Sequence, residues 1–139
     1  SASAALSDIG VGPTRCTEVI VVFKSFTTRV GTGDLEGELH ADEIEKKGWQ
    51  EFGTVTGRLR RAAPFNFKLA RKAVRINGAT TIALTKLDIL FPDMKGKTHI
   101  TDITPEANKF ILEIENYTGV HVKYISTGPG STELIIRKE

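Results

Sequence analysis

Apolar residues along the chain gather in short runs that predict strands. Residues 18–26, 81–85, 120–125 and 133–137 are rich in β-branched and other apolar side chains over lengths typical of strands. The first run is too continuous for a strand with one face in water, so we expect it to be buried on both faces. Residues 98–103 predict a further short strand at a sheet edge.

Helical patterns separate these runs. Residues 41–47 carry acids at their start and lysines at their end, which favours a short helix. Asn66 predicts the N-cap of a helix that runs to about residue 77, and Thr104 predicts the start of another that Gly119 ends. Helices that alternate with apolar strands predict an α/β fold with a largely parallel sheet flanked by helices.

Three loops leave the carboxyl ends of predicted strands: TTRVG at 27–31, TKLD at 85–88 and STGP at 126–129. In open α/β sheets the ligand crevice lies outside these ends. We therefore expect the three loops to face one site.

Composition narrows the class of protein. The 139 residues are 40% hydrophobic and 26% charged with a net charge of +2, an ordinary globular balance that gives no reason to expect nucleic acid as a partner. Cys16 is the single cysteine, which fits a reducing, cytoplasmic compartment, and no apolar run reaches the ~20 residues of a membrane span. The three histidines lack zinc-ligand spacing. The absence of an initial methionine indicates an interior segment of a longer chain or a processed product.

The segment TVTGRLRR, residues 54–61, places three arginines after two hydroxyls and a glycine. Gly57 permits a tight turn whose amides could cradle an anion, and guanidinium groups match phosphate or carboxylate with paired donors. In an extended segment Arg58 and Arg60 share one side, with Arg61 turned away. The segment predicts a local anion site, and a solvated basic loop is the alternative.

Lys86 and Asp88 stand at the carboxyl end of a predicted strand. One fixed carboxylate can accept hydrogen bonds from both N1–H and the exocyclic amine of guanine, whereas adenine offers an acceptor at the first position. Asp88 could thus select guanine, with the stem of Lys86 against the base. Surface charges that cap a strand are the alternative reading.

Familiar catalytic motifs are missing from the sequence. It contains no G-x-x-x-x-G-K-[ST] loop, no strand-linked G-x-G-x-x-G and no defensible nucleophile–base set. The chain therefore holds binding elements without an evident catalyst.

Four segments, read in order, resemble adenylosuccinate synthetase: KSFTTRVGTG (24–33), EFGTVTGRLRR (51–61), ARKAVRINGATTIALTKLDIL (70–90) and IENYTGVHVKYISTGP (114–129). The resemblance covers nearly the whole chain but only the carboxyl-terminal part of a single catalytic domain of that family. It implies part of a P-loop-like, GTP-dependent ligase fold. It also implies ligation of IMP and L-aspartate in purine biosynthesis, with GTP as co-substrate, Mg²⁺ as cofactor and a homodimer.

The resemblance also implies roles for particular residues. The aspartate loop would comprise Thr54, Val55, Thr56, Gly57, Arg58, Leu59 and Arg60. IMP would be contacted by Val30 and Arg58, and GTP by Arg60, Lys86, Leu87, Asp88, Ser126, Thr127 and Gly128.

This sequence departs from the family pattern in three ways. After Arg61 it reads AAPFNF, where many members continue with a Gly-Trp pair. No residue here matches the family's phosphate loop, catalytic aspartate and histidine or magnesium ligands, so we expect the isolated chain to be inactive. The segment after Leu90 is short, which indicates a compact variant. The alternatives are a nucleotide- or anion-binding module that lost the chemistry and a purely structural α/β domain.

Overall fold

The computed structural model describes residues 1–55 and 57–138. In chain order the elements are α1 (Ala2–Asp8), β1 (Ile20–Lys24), β2 (Thr27–Arg29), α2 (Ala41–Lys46), β3 (Arg61–Ala63), α3 (Phe67–Asn77), β4 (Thr81–Thr85), α4 (Leu87–Leu90), α5 (Pro105–Thr118), β5 (Val122–Ser126) and β6 (Leu134–Ile136). Short 3₁₀ turns lie at Pro13–Arg15, Pro92–Met94 and Ile100–Asp102.

A four-stranded sheet in the order β1-β4-β5-β6 forms the centre of the fold. Strand β4 pairs in parallel with β1 and β5, while β6 runs antiparallel to β5. Helices α3 and α5 contact each other and lie against β1 and β5. The predicted α/β class with a mostly parallel, helix-flanked sheet is confirmed.

The main core lies between this sheet and its helices. Its fully buried side chains include Ile82, Leu84, Ile111, Ile114 and Ile125. Apolar residues on the inner face of each strand and on one stripe of α5 produce this arrangement, because burial of apolar area is the main favourable term in folding.

A second, smaller unit joins the sheet at the end of β1. Strands β2 and β3 pair antiparallel, and Phe26 stacks on Trp49 with ring centroids 4.7 Å apart beneath them. The buried side chains of Ile44 and Ala62 complete this cluster. The apolar pattern along the chain predicts neither β2 nor β3, because segments of three residues are too short to show a strand period.

The predicted caps of the two longer helices are confirmed. The Asn66 side chain accepts a hydrogen bond from Leu69 N at the start of α3, and Thr104 accepts from Ala107 N at the start of α5. Gly78 and Gly119 end these helices with φ of 59° and 72°. Among the described residues, no helix is long and apolar enough to cross a membrane.

Two expectations about strands are wrong. Residues 98–103 form a 3₁₀ turn at Ile100–Asp102 instead of an edge strand, because local hydrogen bonds such as Asp102 N to His99 O lead directly into the Thr104 cap. Strand β1 lies at the edge of the sheet, and Val22 is 64% exposed, so it is not buried on both faces. Val21 and Phe23 are partly buried, whereas Ile20 and Val22 are exposed.

Candidate functional site

The arginine-rich segment is the second limb of a protruding hairpin-like loop. Arg60 N donates to Glu51 O at 2.7 Å, and Gly53 N donates to Arg58 O at 2.9 Å. The loop then turns with Gly57 at φ 62°, while the side chain of Val55 is 97% exposed. The hydrogen bonds fix the base of the loop and leave its tip in solvent. Thr56 lies outside the described residues.

At the base of this loop, the carboxylate of Glu51 gathers groups from three other segments. Its Oε2 accepts from Lys24 Nζ at 2.9 Å, Thr28 Oγ1 at 3.1 Å and Arg60 Nη1 at 3.3 Å. Its Oε1 lies 3.6 Å from Lys86 Nζ. We call these five residues the Glu51 cluster.

Electrostatics keep the Glu51 carboxylate ionised. Burial by itself raises the pKa of Glu51, but the hydrogen bonds from Lys24 and Thr28 and the charges of Lys24 and Lys86 outweigh it, so the pKa lies below its ordinary value. The side chain is only 14% exposed, so solvent screens these interactions weakly. The cluster is an ionised carboxylate that holds three cations.

Arg61, next along the chain, contacts a different carboxylate. Its Nε and Nη2 donate to Glu38 at 2.6 and 2.5 Å, and its Nη1 donates to Gly31 O at 2.9 Å. Arg61 therefore ties β3 to the loop after β2. Arg60 and Arg61 contact separate partners, as alternation along an extended segment requires.

A cleft of about 380 Å³ opens at the carboxyl ends of β4 and β5. Its walls come from the last residues of β4 and β5, from α4 and the turn that follows it, and from the loop after β5: Thr85, Lys86, Asp88, Ile89, Lys95, Ser126, Gly128 and Pro129. The volume lies in the range of small-molecule sites. Lys86 belongs to both this cleft and the Glu51 cluster, so the two features adjoin.

The backbone at Lys86 is unusual. Lys86 has φ 64°, the one positive φ recorded for a non-glycine residue in the described part of the chain. The buried hydroxyl of Ser25 donates to Lys86 O at 2.7 Å, and Ser25 N donates to Thr85 O at 2.9 Å. These bonds clamp the end of β1 to the end of β4 and hold Lys86 in a conformation that side-chain-bearing residues resist.

Thr127 is a buried residue whose hydrogen bonds hold the loop after β5 in place. Its side chain is fully buried, and Thr127 Oγ1 donates to Lys97 O at 2.6 Å. Its amide donates to Glu133 O, and its carbonyl accepts from Gly96 N. With these groups used internally, Thr127 supports the cleft, whereas Ser126 and Gly128 line it.

Comparisons with known proteins identify the family of the chain. A model of the family described as "Adenylosuccinate synthetase" matches residues 1–95. The chain belongs to the adenylosuccinate synthetase family. Synthetases of this name from Methanococcus aeolicus and Thermococcus sibiricus are 55% and 49% identical over 93% and 100% of the chain. The chain spans 38% and 41% of their lengths, so it corresponds to part of these relatives.

A solved structure shares the fold. The fully ligated adenylosuccinate synthetase of Plasmodium falciparum superposes with a TM-score of 0.86 at 25% identity, over 98% of this chain and 43% of its own. The fold and family expected from the four sequence motifs are therefore confirmed.

The structure brings together some of the residues to which the family resemblance gives roles. Lys86, Asp88, Ser126 and Gly128 line the cleft, and Arg60 lies at its side through the Glu51 cluster. Leu87 is fully buried in the core, so its side chain faces away from a ligand. Val30 is 61% exposed just beyond β2. The assigned roles of all these residues stay predictions.

The sequence pattern does not predict that Glu51 and Glu38 pair with cationic side chains of other segments. Glu51 opens the EFGTVTGRLRR motif, and an isolated acid directly before a basic loop was the available signal. Glu38 lies 23 residues from Arg61, and nothing in the sequence links the two.

Mg²⁺ is the cofactor that the family resemblance implies. In residues 1–55 and 57–138, no group of three or more His, Cys, Asp or Glu side chains is arranged to hold a metal ion. The carboxylate, imidazole and thiol groups of these residues therefore do not fit Mg²⁺.

Proposed function

We propose that this chain supplies the aspartate, IMP and guanine contacts of an adenylosuccinate synthetase. This ligase uses GTP to phosphorylate the 6-oxygen of IMP, and the amine of L-aspartate then displaces the phosphate to give adenylosuccinate, GDP and phosphate. The reaction forms a C–N bond on the route to AMP. The observation that carries the proposal is the position of Lys86, which joins a base-sized cleft to a cluster of cations.

Recognition of guanine is assigned to the cleft. Asp88 accepts hydrogen bonds from N1–H and the exocyclic amine of the base, while the stem of Lys86 packs on the ring. Ser126 and Gly128 form the opposite wall, supported by Thr127 from behind. A carboxylate in this position rejects adenine because it would face an acceptor.

Binding of the anionic substrates is assigned to the loop at 54–60. Arg58 binds the carboxylates of L-aspartate and reaches IMP, helped by the hydroxyls and amides around Gly57, and Arg60 reaches GTP. Val30 lies beside the IMP ribose. Closure of the exposed tip on its fixed base would exclude water from the phosphorylated intermediate.

The remaining parts of the enzyme are assigned to residues outside this chain. These include the phosphate loop, the catalytic aspartate and histidine, and the ligands of Mg²⁺. A homodimer and a cytoplasmic location complete the proposal. The isolated chain binds guanine nucleotide but forms no product.

The direct test is an assay of a full-length synthetase that carries this segment. With IMP, L-aspartate and GTP, chromatography should detect adenylosuccinate, and ATP in place of GTP should give far less. Absence of product with all three substrates would reject the ligase assignment.

Titration of the isolated chain with GTP and with ATP separates the ligase fragment from its main rival. Preference for GTP supports the guanine cleft. Equal binding of both nucleotides would favour an anion-binding module that has the fold without the base specificity.

A further inference from the structure

Glu51 connects two cations that have separate origins in the fold. Arg60 comes from the end of the protruding loop, and Lys86 from the strained residue after β4. Their charges meet on one carboxylate, at 3.3 and 3.6 Å. Glu51 itself is not among the residues proposed to contact IMP, L-aspartate or GTP.

The cluster is incompletely satisfied. Three cations, Lys24, Arg60 and Lys86, face a single carboxylate, so positive charge is in excess. Glu51 Oε1 and Arg60 Nε are buried and lack hydrogen-bond partners. Buried polar atoms are rarely left unpaired, so the N–H of Arg60 Nε, together with the excess of positive charge, gives the cluster capacity for a further hydrogen-bond acceptor or anionic group.

The backbone of Glu51 also anchors the loop. Its carbonyl accepts from Arg60 N at 2.7 Å, which places both the main chain and the side chain of Arg60 on the same residue. A movement of Glu51 would therefore displace Arg60 and release Lys86 together.

We propose that Glu51 is a positioning residue that fixes Arg60 and Lys86 relative to each other for GTP. The inference rests on the proposed function, in which both cations bind this nucleotide. Without the carboxylate the two positive groups repel each other, and their long side chains lose a common geometry. Because Arg60 and Lys86 are already held in place, less side-chain entropy is lost when GTP binds. Glu51 therefore strengthens GTP binding without contacting the nucleotide.

The test uses a full-length synthetase that carries this segment. Glu51→Gln keeps the size of the side chain and removes its charge, while Glu51→Asp keeps the charge. Glu38→Gln is the matched control, because it removes the carboxylate that pairs with Arg61. Calorimetry measures GTP and IMP binding separately, and thermal unfolding measures the stability of each variant.

Glu51→Gln should weaken GTP binding by about ten- to a hundredfold, the scale of a charge-assisted hydrogen bond, and leave IMP binding within about twofold. Arg60→Ala should cost less in the Glu51→Gln background than in the wild type, because the two residues act as a unit. Glu51→Asp should recover part of the affinity, and Glu38→Gln should bind GTP normally.

Normal GTP binding by Glu51→Gln would overturn the inference. It would also be overturned if Glu51→Gln lost affinity for GTP and IMP equally and if the effects of Glu51→Gln and Arg60→Ala on GTP affinity were additive. If Glu51→Gln does not fold, Glu51→Asp, which withdraws the carboxylate by one methylene, replaces it in the same cycle: a partial loss of affinity confined to GTP and non-additive with Arg60→Ala supports the inference, and unchanged GTP binding or additive effects overturn it. A wild-type enzyme that binds no GTP would reject the proposed function and this inference with it. An active wild type with a normal Glu51→Gln variant would reject the inference alone.

Discussion

The guanidinium of Arg61 holds the carboxylate of Glu38 in a two-point contact, with Nε–Oε1 and Nη2–Oε2 distances of 2.6 and 2.5 Å. The contact ties β3 to the segment after β2, on a side of the chain different from that of Arg60. Arg60 and Arg61 of one motif therefore contact separate carboxylates, Glu51 and Glu38, and Arg61 forms a link within the fold.

We expect Arg61→Ala to act on stability and to spare catalysis. The contact is partly exposed, so its loss should lower the melting temperature by no more than a few degrees. Arg58→Ala and Arg60→Ala should instead lower kcat/KM of a full-length enzyme by orders of magnitude. Steady-state kinetics with thermal unfolding measure both effects, and equally small kinetic losses in all three variants would contradict the division.

Substitution of Lys86 separates its backbone from its side chain. Glycine adopts φ near 64° freely, so Lys86→Gly should be as stable as the wild type or more stable by up to about 1 kcal/mol. Lys86→Ala keeps the strained backbone and should gain nothing. Both variants should lose GTP affinity, measured by calorimetry. A clear destabilisation by glycine would show that the conformation carries no strain.

Asp88→Asn should weaken GTP binding and leave the KM for L-aspartate largely unchanged. The amide group of the substituted side chain would place an N–H donor against a donor of guanine, so one of the two hydrogen bonds would be lost. We expect this loss to lower the affinity for GTP by about tenfold or more. Asp93→Asn, at an exposed position in the following turn, is the control. An equal rise in both KM values would argue against a base-reading role.

Thr127→Val should destabilise the loop after β5 that forms one wall of the cleft. Valine has a similar shape but leaves Lys97 O without its donor, at a cost of about 1–3 kcal/mol in the free energy of unfolding. GTP affinity should fall with it. Thr132→Val, at an exposed position of the same loop, should change neither quantity in denaturant titrations and calorimetry.

Stability in acid should depend on Glu115. Burial raises the pKa of its carboxyl, but the hydrogen bonds from Arg137 and Val122 N and the charge of Arg137 outweigh burial, so the pKa in the folded state lies below the ordinary 4.5. The folded state then binds fewer protons than the unfolded chain, so this stabilisation is present above about pH 4.5 and is lost as the pH falls further.

Glu115→Gln should reduce this acid-dependent loss and lower stability at neutral pH by about 1–3 kcal/mol. Glu113→Gln, on an exposed face of the same helix, is the control. Urea unfolding measured between pH 3 and pH 7 tests both expectations. A variant with the same pH dependence as the wild type would mean that other carboxyl groups set the acid limit.

Local chemistry in the sequence determined the helices α2, α3 and α5, the α/β class and the family, but not the short helices α1 and α4. The caps at Asn66 and Thr104 need only neighbours three residues away, and the strands β4 and β5 are visible as apolar runs. The motifs around Gly57, Lys86 and Gly128 are contiguous, which is why they could be read without a structure.

Only the tertiary structure decided which groups meet. The hydrogen-bonded pairs Glu51–Lys24, Glu38–Arg61 and Thr127–Lys97 are separated along the sequence by 27, 23 and 30 residues. The ribbon of β2 and β3 and the edge position of β1 likewise depend on pairing between distant segments. A sequence pattern reports the chemistry that each residue offers, whereas the partner of a charge or hydroxyl depends on how the folded chain brings remote segments into contact.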